Sequence, residues 1–200
     1  MTEAMKKFFA VLLVLSLVAC TSIVKVDGEQ TIRNRMSLKL ADAWNKVQLP
    51  NDRQPFDVWT QEGLTVDALR FWAAVPHRGE LVRAPSGSVP QGGKATRVPT
   101  FVTGMEADQL VSLFETMYSS DGSSVTINKV EPTIFAGEKG IRFEFSVLRK
   151  SDDVQLLGIG WVAVKKDELF AATFLAPKLS FFSRLRGKAE SVVKSAQIKG

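Results

Sequence analysis

The chain holds one histidine and one cysteine among its 200 residues. Histidine and cysteine chemistry therefore rests on His77 and Cys20 alone, and two-acid chemistry on the carboxylates. A serine relay needs a histidine beside a hydroxyl and steadied by an acid. His77 instead lies in the turn sequence Val75-Pro76-His77-Arg78-Gly79, and no Gly-x-Ser-x-Gly elbow occurs anywhere. It reads as an exposed loop residue. A single nitrogen and a single sulfur ligand do not complete a zinc site. Three carboxylate pairs, Glu62/Asp67, Asp152/Asp153 and Asp167/Glu168, could serve acid–base or calcium chemistry. The last two sit in turn sequences, where Asp bonds its own backbone, and no Asp-x-Asp-x-Asp-Gly loop is present. The stretch from Gly87 to Lys94 looks like a phosphate loop. It is one residue too long, has Ala95 where magnesium needs a hydroxyl, and loses a donor N–H at Pro90. Gly158 and Gly160 share one face of a strand beside Trp161. A bare strand marks close approach of another backbone or of a ligand. The expected neighbour is the C-terminal helix, the alternative a shallow groove. Gly158, Gly160 and Trp161 are the candidate binding residues. No catalytic residue, metal ligand or cofactor is assigned.

Cys20 has a different context. Lys6 and Lys7 precede twelve residues, 8–19, in which Ser16 alone is polar. Twelve is short of the roughly 20 apolar residues that cross a bilayer, but it suits the apolar region of a secretory signal. The segment closes with Leu17-Val18-Ala19-Cys20, which resembles the lipobox of bacterial lipoproteins. That resemblance implies cleavage after Ala19, a diacylglycerol on the Cys20 sulfur and acylation of the freed amine. Three acyl chains at ~0.8 kcal/mol per buried CH₂ would hold the protein to a membrane. Thr21, where a retention signal has Asp, implies the outer membrane facing the periplasm.

The rest of the composition is ordinary: 45% hydrophobic, 24% charged, mean hydropathy +0.03 and net charge +5. Disordered and multi-span membrane classes are excluded. A charge this mild argues against nucleic acid as a partner.

The elements that would carry these residues alternate along residues 20–200, expected to form one periplasmic domain after a 1–19 signal peptide. Residues 23–26 read as strand and Asp27-Gly28 as a hairpin turn. Residues 37–47 fit both a helical and a strand period. Leu69, Phe71, Ala73 and Val75 would share a strand face. Residues 85–94 form a loop rich in Gly, Ser and Pro. Thr103 and Glu106 match a capping box, leading into a helix striped by Leu110, Leu113, Phe114 and Met117. Ile141, Phe143, Phe145 and Val147 then share a face, while residues 154–164 and 169–176 are apolar on both sides. Short turns join these runs, so the pattern predicts an antiparallel meander. Two-sided apolarity predicts that both faces are covered. A helix from 180 to 196 closes the chain, with Arg184, Arg186, Lys188 and Lys194 on a solvated face.

The fold class expected from this reading is α+β, an antiparallel meander sheet covered on both faces by helices, an α-β-α sandwich, with an N-terminal hairpin. From Trp44-Asn45-Lys46 through the central helix to residues 169–177 and a basic terminal helix ending near Ser195, the order resembles the DcrB-like periplasmic lipoproteins and the wider PsbP-like fold. The resemblance implies an accessory or binding role with no shared catalytic motif. The expected function is a membrane-anchored envelope lipoprotein that binds another envelope protein or a small ligand, or serves as an assembly accessory. The alternative is a carboxylate-based hydrolase of an envelope polymer, which needs two acids converging in a cleft with perturbed pKa values.

Overall fold

The computed structural model describes residues 22–48, 54–83 and 98–199. Cys20, the apolar segment before it and the loop at 85–94 lie outside these residues. In chain order the elements are β1 (Ser22–Ile32), β2 (Met36–Gln48), β3 (Asp57–Thr60), β4 (Ala68–Val75), α1 (Ala107–Ser119), β5 (Ser124–Phe135), β6 (Glu138–Leu148), β7 (Gln155–Lys165), β8 (Glu168–Pro177), α2 (Phe181–Lys194) and β9 (Gln197–Ile198). The strands form one nine-stranded sheet in the order β1-β2-β3-β4-β8-β7-β6-β5, with β9 added to β2. Every pairing is antiparallel. Two meanders, β1–β4 and β5–β8, thus meet where β4 pairs with β8.

Side-chain alternation sorts the core into two layers. On one face Phe143, Phe145 and Val147 of β6, Leu156 and Val162 of β7 and Leu169, Ala171 and Leu175 of β8 meet Leu110, Leu113, Phe114 and Met117 of α1. On the other, Ile159 and Trp161 of β7 and Phe170 and Phe174 of β8 meet Phe182, Leu185, Ala189, Val192 and Val193 of α2. Each large side chain removed from water contributes roughly 1.5–3 kcal/mol, and Thr173 is the one buried polar residue of β7 and β8.

The expected α-β-α sandwich is corrected by the structure. Two helices of 13 and 14 residues do not make layers over nine strands. Strands spaced ~4.8 Å apart give a sheet over 30 Å wide, whereas a helix is about 10 Å across. The sheet supplies part of its own cover. The segment at 37–47 is strand, and the far half of the β1–β2 hairpin lies over α2. Ile32, Met36, Leu38 and Leu40 share one buried cluster with that helix. Ser195 Oγ donates to the Lys39 carbonyl at 3.0 Å and accepts from the Lys39 N–H at 2.8 Å.

Three local expectations also change. Asp27-Gly28 is a bulge, not a turn: the register passes from Val26↔Trp44 to Gly28↔Leu40. The left-handed freedom of Gly28 (φ 61°) bends the strand there. The turn itself uses Arg33 and Asn34, at φ 48° and 58°. In β4 a second irregularity, with Ala74 at φ 58°, moves Val75 off the face of Leu69, Phe71 and Ala73. Helix α1 starts one turn later than Thr103 suggests. Glu106 is its N-cap, and Gln109 Oε1 accepts from the Glu106 N–H at 2.9 Å.

Candidate functional site

A groove of about 550 Å³ runs between α2 and the β5–β6 hairpin. Its chemistry follows from the alternation of β6. Phe143 and Phe145 point to α1, so Arg142 and Glu144 must point the other way, and Arg142 is paired with Trp161 across the strands. From β5 come Lys129 and Glu131, and from α2 come Arg186 and Glu190 at i,i+4 spacing.

Arg142 is the centre of this cluster. Its Nη1 meets Glu131 Oε1 at 2.7 Å, its Nη2 meets Glu144 Oε1 at 2.7 Å, and the same nitrogen lies 3.5 Å from Glu190 Oε1. Lys129 Nζ lies 2.5 Å from Glu131 Oε2, and Arg186 Nε donates to Glu190 Oε1 at 3.0 Å. The hydrogen bond from Lys129 is the largest influence on Glu131. Aided by Arg142 and opposed by partial desolvation, it holds this carboxyl below its ordinary range. For Arg142 desolvation pulls downward, but the hydrogen bonds to Glu144 and Glu131 outweigh it and raise the guanidinium further. A general acid needs the reverse, a carboxyl pushed up toward neutrality. This arrangement ties β5, β6 and α2 together and presents alternating fixed charges beside an aromatic floor.

The candidate residues from the sequence separate here. Trp161, 6% exposed, lines the groove. Gly158 and Gly160 lie on the opposite face of β7. A Cβ on Gly158 would stand 2.3 Å from Phe145 Cζ, and one on Gly160 2.1 Å from Phe143 Cζ. The close neighbours of these glycines are therefore rings from the adjacent strand, and not the C-terminal helix. Cys20 lies outside the described residues.

The carboxylate pairs do not converge. Asp67 is buried and organises the 61–67 loop, accepting from Thr60 Oγ1 at 2.7 Å, Gln61 N at 2.8 Å and Glu62 N at 2.7 Å. Glu62 reaches Arg184 at 2.9 Å instead, and Glu168 reaches Arg35 at 2.5 Å. Asp152 is clamped by Arg149, whose bond is the main cause of its lowered pKa. His77 is exposed, and its Nδ1 accepts from the Thr103 N–H at 3.1 Å. Among the described residues no three His, Cys, Asp or Glu side chains gather as a metal would require, and no helix is long and apolar enough to cross a membrane.

One polar constellation escaped sequence reasoning. Tyr118 OH lies 2.7 Å from the buried Thr173 Oγ1 and accepts from Arg70 Nη1 at 3.3 Å. The Arg70 guanidinium stacks between Phe56 and Tyr118, 5.7 and 5.6 Å from the ring centres. A lone tyrosine on the last turn of an amphipathic helix was the available signal.

With this geometry in hand, comparison with solved structures gives the class of fold. The cyanobacterial PsbP protein CyanoP of Synechocystis sp. PCC 6803 superposes with a TM-score of 0.57 at 12% identity, covering 92% of this chain and 96% of that one. A Bacteroides thetaiotaomicron protein gives a TM-score of 0.48 at 10% identity, covering 88% of this chain and 50% of its own. LpqN, involved in cell envelope biogenesis of Mycobacterium tuberculosis, gives 0.34 at 8% identity, covering 92% and 88%. The chain has a PsbP-like fold. At the level of sequence, no family profile and no curated protein matches it.

Proposed function

We propose that this chain is an envelope lipoprotein, acylated at Cys20, whose PsbP-like part, residues 20–200, acts by binding as an accessory to another envelope component. The observation that carries the reading is Leu17-Val18-Ala19-Cys20 at the end of a short apolar segment behind Lys6 and Lys7. Thr21 in place of an acid favours the outer membrane, facing the periplasm. Only Thr21 separates Cys20 from the first residue of β1. At ~3.3 Å per residue the anchor would hold the sheet against the bilayer with almost no tether. The binding role is supported by the groove beside Trp161, whose acids are all engaged by Arg or Lys. The same pairing removes support from the hydrolase alternative.

Labelled palmitate tests the anchor: incorporation into wild type and none into Cys20→Ala is expected, and label in the variant overturns the assignment. Affinity purification from detergent-solubilised envelopes tests the accessory role. A partner protein at a fixed ratio is expected, and recovery of the chain alone overturns it.

A further inference from the structure

Five arginines of the described chain have a carboxylate at 2.5–3.0 Å: Arg35, Arg142, Arg149, Arg184 and Arg186. Arg70 is stacked between rings. The remaining three, Arg33, Arg78 and Arg83, have no carboxylate partner among the described residues, and all three line one cavity of about 360 Å³ at an end of the sheet. All three are exposed, and three arginines without a carboxylate partner among the described residues leave a positive field around one concave wall that favours an anion. We propose that this cavity takes the phosphate group of an anionic phospholipid, so that the protein rests on the bilayer through this end as well as through its anchor.

The Arg33 guanidinium and the backbones of Arg78 and Arg83 are held in position. Gln54 accepts from Arg33 Nη2 through its carbonyl at 2.6 Å. Its side chain both donates to the Arg83 carbonyl and accepts from the Arg83 N–H, each at 3.0 Å. The Arg78 N–H donates to the Phe101 carbonyl at 2.8 Å. Two non-glycine residues of the wall, Ala74 and Arg78, are left-handed at φ 58° and 62°. Strain of this kind persists where the surroundings impose it and clusters at ligand sites. The guanidinium fork matches two phosphate oxygens at once. Glu80 is the one acid among the described lining residues. It leaves an excess of positive charge.

The bilayer is the occupant that the strand directions favour. Ile23, Val47, Val58 and Arg70 form one register row across β1 to β4. From Arg70, β4 runs on to Ala73 and Val75 at the cavity. The strands alternate in direction, so the chain enters β1 from that same end. Arg33, at the far end of β1, reaches the cavity and the Gln54 carbonyl because the far half of the hairpin folds back. If Cys20 carries the acyl chains, the cavity and the anchor approach one membrane together. A single lipid chain holds only marginally and a second, electrostatic contact adds to it. In this respect the inference rests on the proposed acylation.

The test uses the full chain recovered from cell envelopes, with its mass measured to read acylation at Cys20. It is reconstituted into vesicles of phosphatidylcholine alone, or of phosphatidylcholine with phosphatidylglycerol. Hydrogen exchange of residues 74–83 is followed against α1 as an internal reference. Phosphatidylglycerol is expected to slow exchange at 74–83 and leave α1 unchanged. Each arginine replaced by alanine weakens the bound state about fivefold. Glu80→Gln strengthens it by a similar factor, a gain that misfolding does not produce. Equal exchange in the two vesicles, or no gain with Glu80→Gln, overturns the proposal. Protection by inorganic phosphate in phosphatidylcholine vesicles overturns the lipid as occupant. A chain without acyl mass overturns the anchor alone, and vesicle flotation of that chain then reads the phosphatidylglycerol dependence directly.

Discussion

The two faces of β7 solve the same packing problem in opposite ways. Toward α1, Gly158 and Gly160 leave slots that Phe145 and Phe143 of the adjacent strand fill. The two rings stand 5.7 Å apart, and Phe114 caps Phe143 at 5.3 Å. That face is closed. Toward α2, Trp161 is the last large apolar residue before β6 and β5 turn charged, and the space beyond it stays open as the groove. The contrast teaches that paired glycines on a strand give the tightest part of this core. The opening arises one strand further out, where helix α2 no longer covers the sheet.

The largest expected effect breaks the open face. Trp161→Ala should lower stability by ~3–5 kcal/mol, the usual loss for a buried aromatic truncated to alanine. Chemical denaturation reads it, and a midpoint equal to wild type would mean that Trp161 carries no core packing. The closed face should fail for the opposite reason. Gly160→Val places new carbon where the Phe143 ring already lies, and overpacking of this kind costs ~1–3 kcal/mol or more. If the contrast is right, Gly160→Val is rescued in part by Phe143→Leu, whereas Trp161→Ala is not.

How far this contrast was legible depends on the range of the interactions. Alternation in Ile141, Phe143, Phe145 and Val147, and two-sided apolarity in β7 and β8, are local patterns with a fixed period, and the strands they mark are present. The glycines were read as marking the approach of another backbone or a ligand, whereas the rings of Phe145 and Phe143 from the adjacent strand fill that face. The covering element was misassigned because spacing defines a face but not what lies above it. The sandwich was misjudged for a related reason. Residues 37–47 carry both periods, and only pairing with β1 and β3 selects the strand. The groove itself was not legible beyond the polar side of β6, since Glu131, Arg142 and Glu190 come from three elements brought together by tertiary packing alone. Trp44 and Trp59, whose buried indole N–H groups have no hydrogen-bond partner among the described residues, likewise have no sequence signature that separates them from satisfied tryptophans.

A smaller effect sharpens the open side. Arg142→Met keeps the length of the side chain and removes the cation shared by Glu131, Glu144 and Glu190. Bonds to charged groups contribute ~1.5–3 kcal/mol each when dry. Here the carboxylates are up to a third exposed, so water screens the pairs and a total loss of ~1–2 kcal/mol is expected. The loss should shrink in Glu131→Gln/Glu144→Gln/Glu190→Gln, which no longer has acids to strand. A loss unchanged by those replacements would assign the role of Arg142 to packing of its stem.

The smallest effect is a pH dependence whose sign follows from the pairing. Folding lowers the pKa of Glu131, chiefly through the Lys129 hydrogen bond and then through Arg142. The ionised form is therefore favoured in the native state. Its stabilising contribution is complete above the unfolded carboxylate value of ~4.3 and is lost as pH falls through the lower folded value. Glu131→Gln lacks this contribution at every pH. The gap in Tm between wild type and Glu131→Gln should thus be widest near neutrality, narrow as the solution is acidified below the ordinary carboxylate range, and shrink in high salt. Asp152, lowered first by its bond from Arg149, should give the same sign with Asp152→Asn, independently, because its turn joins β6 to β7 away from the groove. A gap at Glu131 that widened in acid would mean that the carboxyl is stabilised in its protonated form. The groove would then hold the acid that its present charge pairing argues against.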